Sequence, residues 1–212
     1  MRGIRAKLMR SAQKRMQNAH RCFGARAVRT IGMACLCGAL AWIAIAEPVG
    51  AQSKVDEYKL KAAFVFHFAE MTDWPAAAFG ANQNEITLCT VGNDPFAGEL
   101  ESTLAGKAIG QHAVRIRHAK QAAETRGCQI VFVGSGEMKL LPEVLAQIGN
   151  SPVMTVGESD GFLQQGGMFS FCLDGNKIRF EINVAPAERA GLKISSRLLM
   201  LARNVMGNHG QG

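Results

Sequence analysis

The sequence predicts an α/β fold: a single domain with a mostly parallel sheet flanked by helices and a C-terminal antiparallel hairpin. After residue 52, helical and strand-like patterns alternate, as in proteins whose helices cover both faces of a parallel sheet. Two strand-like runs then flank Asp174-Gly175-Asn176, which is a typical hairpin signal. The roughly 160 residues concerned suffice for one core and leave little room for a second domain.

The first 46 residues have the composition of a secretory leader. They contain nine Lys or Arg and no acidic residue, and they end in the apolar run 31–46. Small residues before Ala46 and Ala51 provide two cleavage sites. We therefore divide the chain into a signal peptide, residues 1–51, and a periplasmic domain, residues 52–212. An uncleaved N-terminal anchor is the alternative, because the basic segment is long and Trp42 suits a membrane interface.

Removal of the leader would change the charge of the protein. The whole chain carries a formal net charge of +7, but the nine leading positive charges belong to the leader. The rest has 15 Lys and Arg against 16 Asp and Glu, so it is nearly neutral. We exclude nucleic acid as a partner, because such binding requires a basic surface. No apolar run after residue 53 is long enough to span a membrane, which predicts a soluble domain.

The first elements of the domain are predicted from caps and periodicity. Ser53 and Asp56 resemble a capping box, and apolar residues follow at helical spacing until Pro75, which ends the helix. The run 85–91 has the composition of a strand. Asp94 followed by Pro95 has the pattern of a helix start. Gly106 would end that helix, and the later pattern predicts strands at 114–117, 130–133 and 153–156 and a helix at 140–148.

The C-terminal third is predicted to contain the hairpin and a final helix. A two-residue turn would place five apolar residues on one face: Phe169, Phe171, Ile178, Phe180 and Ile182. Cys172 would then lie on the other face, with Ser170, Arg179 and Glu181. In the final helix, Ile194, Leu198, Leu201 and Val205 would form an apolar stripe, and Arg189, Lys193 and Arg197 a basic one.

Three cysteines follow the leader: Cys89, Cys128 and Cys172. Cys89 lies in one predicted strand and Cys128 directly precedes another, so neighbouring strands would bring the two together. A disulfide closing that loop would stabilise the fold by roughly 3–4 kcal/mol. The alternative is a pair of buried, reduced cysteines. We expect Cys172 to be free.

Several motifs suggest catalysis, and each lacks the context it needs. Residues 157–161 satisfy G-x-S-x-G after a strand, but no long helix follows and the sole downstream histidine is His209. Residues 134–136 begin like a dinucleotide fingerprint, yet Lys139 occupies the third glycine position. His67, His112 and His118 have no metal-ligand spacing. The sequence therefore predicts no enzyme, no cofactor and no metal site.

A set of motifs in order along the chain resembles the YfiR family. The motifs are 61–69 leading to Trp74-Pro75, 86–96, 127–133, Gly161-Phe162 with 166–168, 179–183 and 190–199. The resemblance runs from about Tyr58 to Val205. It implies a periplasmic α/β protein that dimerises and represses an inner-membrane diguanylate cyclase by binding the periplasmic sensor domain of that enzyme.

The resemblance also bears on the cysteines and on partner binding. Cys89 and Cys128 match a cysteine pair of the family, whose redox state influences the interaction, whereas Cys172 has no evident second partner. Two candidate partner-binding surfaces follow from the residues: Phe162, Leu163 and Met168 between glycines, and the basic ridge Arg189, Lys193 and Arg197. The alternatives are that Phe162 plugs the core and that the ridge is an ordinary solvated face.

A second function remains open on the sequence alone. A periplasmic small-ligand sensor or solute-binding protein would use the crevice at the carboxyl ends of the parallel strands, near Gly92, Gly134 and Gly157.

Overall fold

The computed structural model describes residues 49–80 and 84–207. Most of the predicted signal peptide, residues 1–48, lies outside the described residues. His209 also lies outside them. Five α-helices occur in the described part: α1 (Val49–Glu70), α2 (Glu99–Leu104), α3 (Leu141–Ile148), α4 (Val184–Arg189) and α5 (Ser196–Leu201). The first strands are β1 (Thr72–Asp73), β2 (Glu85–Val91), β3 (Ala108–Ile109), β4 (His112–Ala119) and β5 (Ile130–Val133). The later strands are β6 (Met154–Gly157), β7 (Phe169–Asp174), β8 (Lys177–Asn183), β9 (Lys193–Ile194) and β10 (Asn204–Met206).

The main sheet has eight strands in the order β10-β8-β7-β6-β5-β2-β4-β3. Strands β4, β2, β5, β6 and β7 run parallel, and β8 returns antiparallel to β7. This arrangement confirms the predicted α/β fold with a C-terminal antiparallel hairpin. A small second sheet pairs β1 with β9 and thereby ties the end of α1 to the C-terminal segment.

The hairpin has the predicted two-residue turn, because Asp174 pairs with Lys177 across Gly175-Asn176. Phe171 consequently pairs with Phe180 on one face. Cys172 pairs with Arg179 on the other face, as side-chain parity predicted.

Apolar residues cover the two faces of the sheet unequally. The α1 face carries the larger buried cluster, to which α1, α2, α4 and α5 contribute, and it includes Phe68, Phe132 and Phe169. The α3 face carries a smaller cluster beneath α3, with Cys89, Cys128 and Phe162. Successive strand residues alternate between the two clusters, as in Ile130 and Val131 of β5. No helix of the described residues has the length and hydropathy needed to cross a bilayer.

Two helix starts differ from the prediction. Helix α1 already includes Ser53, so the capping box is wrong. Asp94 does not begin a helix: its carboxylate accepts a hydrogen bond from the Phe96 amide, and α2 begins at Glu99. Ala97 and Gly98 between them adopt left-handed φ angles of 50° and 92°, which an α-helix cannot contain.

The predicted final helix is also wrong, because the segment divides into α4, β9, α5 and β10. Asn183 caps α4, since its side chain accepts a hydrogen bond from the Ala185 amide. Ser195 caps α5 by accepting from the Leu198 amide. Between the two helices, Gly191 has a φ of 72°, where a glycine is favoured and a continuous helix would break.

Candidate functional site

The carboxyl ends of β2, β5 and β6 lie side by side, and each strand ends at a glycine of the predicted crevice or directly before one. An open cleft of about 470 Å³ lies there, between the start of α1 and the loops that follow β2 and β5. It is lined by Lys54, Val55, Tyr58, Asn93, Asp94, Pro95, Phe96, Ala97, Gly134, Ser135, Gly136 and Glu137. The cleft has the position at which open parallel sheets bind small ligands.

A buried ion pair joins α1 to this edge of the sheet. The ammonium of Lys61 lies 2.6 Å from Glu158 Oε2 and 2.5 Å from Glu57 Oε1. The side chains of Lys61 and Glu158 are only 7 % and 5 % exposed. Glu158 Oε1 accepts hydrogen bonds from the Tyr58 hydroxyl at 3.0 Å and from the Ser135 amide at 2.9 Å. Sequence reasoning missed this cluster, because no local pattern connects residues 97 positions apart.

The environment of Tyr58 shows the electrostatic character of the cluster. Burial raises the pKa of the Tyr58 hydroxyl above its ordinary value, and the Glu158 carboxylate adds to the effect. The Lys61 ammonium lies 4.5 Å from the centroid of the Tyr58 ring, in the range of a cation–π contact. Both oxygens of Glu158 already accept hydrogen bonds, so the cluster fastens α1 to the sheet instead of offering a free acid or base.

A second cleft of about 500 Å³ adjoins the first and contains Cys172. The Arg203 guanidinium lies 3.8 Å from the Cys172 sulfur, and this contact raises the pKa of Arg203. Cys172 is the one free cysteine of the described residues, as predicted.

His118 belongs to a cluster that the histidine spacing did not predict. Its Nδ1 lies 2.8 Å from the Thr90 hydroxyl, and its Nε2 lies 2.8 Å from Glu101. The arrangement resembles a hydroxyl–histidine–carboxylate triad, but Thr90 is completely buried, so a substrate has no access to its oxygen. We assign the cluster to the connection between β4 and α2. In the part of the chain that the structure covers, no three His, Cys, Asp or Glu side chains are grouped as metal ligands.

The disulfide between Cys89 and Cys128 is present, with the two Cα atoms 5.9 Å apart. It connects β2 to the segment just before β5, since Cys128 lies two residues before Ile130, as the predicted strand positions suggested. Both cysteines are buried. Arg117 of β4 covers the bridge: its guanidinium lies 2.8 Å from the Cys128 sulfur and donates to the carbonyl of Arg126.

The apolar group of predicted partner-binding residues lies in the core. Phe162, Leu163 and Met168 are 1 %, 2 % and 3 % exposed, so their side chains form no surface. The Phe162 ring lies between Gly157 and Gly167, and a Cβ atom at either glycine would overlap it. Burial thus supports the alternative in which Phe162 plugs the core.

The basic group does not form one ridge on a helix. Arg189 ends α4, Lys193 lies in β9 opposite Asp73, and Arg197 lies in α5. All three are exposed, but they belong to different elements, and their role in partner binding stays a prediction.

An exposed apolar patch accompanies Arg197 on α5. Met200 is 78 % exposed and Leu201 is 59 % exposed, the former three residues after Arg197 on the same helix. Methionine and arginine are enriched in protein–protein interfaces, and the exposed leucine beside them adds apolar area. The sequence did not predict this patch, because Leu201 was expected to belong to an apolar stripe that faces the core.

Comparison with known proteins identifies a family. The family model described as YfiR/HmsC-like matches residues 58–203. Among solved structures, the chain is similar to a conserved domain protein from Vibrio cholerae (10 % identity, TM-score 0.48, 70 % of this chain and 60 % of that one). It is also similar to the ABC domain in complex with L-Trp from Streptococcus pneumonia (14 % identity, TM-score 0.47, 66 % of this chain). The chain spans 60 % of the length of each of these structures.

Proposed function

The chain belongs to the YfiR/HmsC-like family, and from this premise we propose that it is a periplasmic regulator that represses an inner-membrane diguanylate cyclase. The repressor would bind the periplasmic sensor domain of the enzyme, without catalysis of its own, and act as a homodimer. The observation that carries the proposal is the family match over 58–203, which includes nearly the whole sheet.

The exposed end of α5 is the surface that we assign to the cyclase. Met200 and Leu201 would supply apolar contact area, and Arg197 would supply charge for an acidic group of the sensor domain. This assignment retains Arg197 from the predicted basic group and replaces the buried Phe162 with exposed residues. Arg189 and Lys193 would lie outside the centre of the contact.

Repression requires a difference in affinity between two states of the cyclase. A protein that bound the active and inactive conformations equally well would leave the equilibrium between them unchanged. The repressor must therefore bind the inactive sensor domain more tightly, and a hundredfold preference would correspond to about 2.7 kcal/mol.

Deletion of the gene tests the function. We expect the deletion to raise cellular cyclic-di-GMP and biofilm matrix, and plasmid-borne wild-type protein to restore both. Met200→Glu and Arg197→Glu should restore them poorly, because they disturb the docking surface and leave the core intact. Lys139→Glu, a charge reversal at another exposed site, is the matched control and should restore them fully. Unchanged cyclic-di-GMP on deletion would contradict the proposal.

A periplasmic small-ligand sensor is the second candidate function. The observation that favours it is the cleft of about 470 Å³ at the carboxyl ends of β2 and β5, whose size suits a small metabolite. A thermal-shift screen of amino acids, nucleotides and vitamins would test it. A ligand whose stabilisation disappears in Ser135→Trp, which would fill the cleft, would support this candidate.

A further inference from the structure

The methionine side chains of the described residues differ in exposure. Met200 on α5 is 78 % exposed. The other five are buried or half-buried: Met71, Met138, Met154, Met168 and Met206. Because a sulfur is oxidised only where an oxidant can reach it, exposure decides which thioether reacts first. In the described part of the chain, Met200 is therefore the methionine most open to oxidation.

The chain around Met200 is basic. Residues 196–206 contain Arg197 and Arg203 and no acidic residue. Both arginines are exposed, and neither forms a salt bridge with a described residue. Uncompensated positive charge raises the local concentration of anions. Hypochlorous acid, which is partly ionised to hypochlorite at neutral pH, would thus be enriched beside the exposed sulfur.

We propose that Met200 is an oxidation site for oxygen-donating oxidants of the hypochlorous acid class, and that its oxidation weakens the docking surface on α5. In the net reaction, an S–O bond forms, the O–Cl bond breaks, and Met200 becomes methionine sulfoxide. The sulfur loses two electrons, the chlorine gains them and leaves as chloride, and the hydroxyl proton passes to water. The oxidation site follows from exposure and charge, whereas its effect on docking rests on the proposed function and adds a regulation to it.

Oxidation would change both properties on which docking depends. A sulfoxide is polar, so its burial against the sensor domain requires the desolvation of its oxygen. Arg197 lies three residues before Met200 on the same side of α5, where its guanidinium can donate to that oxygen. A guanidinium engaged in this way is less available to an acidic group of the sensor domain. The oxidised repressor should therefore bind the cyclase about tenfold more weakly, as expected when the burial of one methionine is lost.

Peptide mapping tests the oxidation site on the exported protein, purified from the cell envelope in the Cys172→Ser form. This substitution removes the one free thiol of the described residues, which would compete for the oxidant. Trypsin releases residues 198–203 as a peptide that contains Met200 and no other methionine or cysteine. With a substoichiometric amount of hypochlorous acid, we expect this peptide to gain the mass of one oxygen atom before any other methionine peptide does.

Unfolded protein is the control for the mapping. In urea all methionines are exposed, so their peptides should be oxidised to similar extents. Equal oxidation of the methionine peptides in the native protein would overturn the site. Preferential oxidation of the peptide that contains Met138 would overturn it as well.

Cells that carry the repressor gene on a plasmid test the effect on docking. A sublethal dose of hypochlorous acid should raise cyclic-di-GMP in cells with the wild-type protein, because the oxidised repressor releases the cyclase. Met200→Leu has no sulfur at this position, so its cyclic-di-GMP level should be the same before and after the treatment. Met138→Leu, the same change at a half-buried methionine, is the matched control and should respond like the wild type. An equal response in Met200→Leu and the wild type would contradict the regulation.

The failure of this inference differs from the failure of the proposed function. If oxidation does not regulate docking, gene deletion still raises cyclic-di-GMP, and only the response to the oxidant is independent of residue 200. If the chain is not a repressor of a cyclase, gene deletion leaves cyclic-di-GMP unchanged, while the selective oxidation of Met200 in the purified protein persists.

Discussion

On the α1 face of the sheet, Phe68 packs against four aromatic rings, whereas on the α3 face Phe162 is the one aromatic residue of the described buried cluster. The ring centroids of Phe169 and Phe180 each lie 4.8 Å from that of Phe68, and Phe171 lies at 5.6 Å. The α1 face thus obtains its stability from a large apolar area and close aromatic packing.

The smaller α3 face has other means of stabilisation. The disulfide Cys89–Cys128 lies there, and it connects β2 covalently to the segment just before the neighbouring strand β5. The Phe162 ring is held between two glycines without a side chain. The difference teaches that a face with less apolar area can be stabilised by a link that acts mainly on the unfolded chain.

The largest effect should come from the aromatic cluster. Phe68→Ala should lower the free energy of unfolding by about 3–5 kcal/mol, because it removes a fully buried ring and leaves a cavity. Urea unfolding monitored by circular dichroism would measure the change. Met200→Ala, at an exposed site, should cost less than about 0.5 kcal/mol. A loss below about 1 kcal/mol for Phe68→Ala would show that the α1 face does not depend on this cluster.

The disulfide should contribute slightly less. The double variant Cys89→Ala/Cys128→Ala should lose roughly 3–4 kcal/mol, because the bridge closes a long loop of the unfolded chain, with a sequence separation of 39. Unfolding of the wild type in reducing buffer should give a similar loss. The double variant itself should be insensitive to the reductant. Equal stability of wild type and variant would mean that the α3 face needs no covalent support.

The ion cluster at the carboxyl edge should have an intermediate effect. Lys61→Met should cost roughly 2–4 kcal/mol, because it leaves the buried Glu158 carboxylate without its cation. Lys61→Met/Glu158→Gln should recover most of this loss, since the double variant contains no isolated charge. Urea unfolding of both variants provides the comparison. Additive losses in the double variant would contradict a direct interaction between the two groups.

The smallest effect on stability concerns Tyr58, which is the sole tyrosine of the sequence. Ultraviolet absorbance therefore titrates this residue alone. The native midpoint should lie above the denatured one, which is about pH 10, because the folded protein raises the pKa of Tyr58. The raised pKa contributes to the free energy of unfolding. This contribution is fully present below pH 10 and is lost as the pH rises further. Glu158→Gln should lower the native midpoint, and identical native and denatured midpoints would refute the burial of the hydroxyl.

Local sequence signals predicted much of the fold. Strand β2 has the predicted bounds, 85–91, and the hairpin has the predicted register because side-chain parity allowed one turn length only. The final helix was predicted wrongly, although Ser195 is a normal N-cap residue and Gly191 a normal break. The apolar spacing of 194–205 satisfies a helical period, so periodicity alone predicted one helix across the glycine and the cap.

The candidate sites were less predictable, because they depend on contacts between distant parts of the chain. The disulfide could be predicted from two strand positions. The contact of Lys61 with Glu158 could not, since it requires the position of α1 over the carboxyl edge of the sheet. Likewise, hydrophobicity alone does not distinguish the buried Phe162 from the exposed Met200, because exposure is a property of the folded chain.

The enclosure of Phe162 by two glycines has a consequence for how this protein can vary during evolution. Substitutions at Gly157, Phe162 and Gly167 should depend on one another. A methyl group at either glycine would overlap the Phe162 ring. A lineage can replace a glycine only after residue 162 has become smaller, and that intermediate carries a cavity. Directed evolution from this sequence should therefore reach new residues at the three positions together, and a library that varies them one at a time should return the starting sequence.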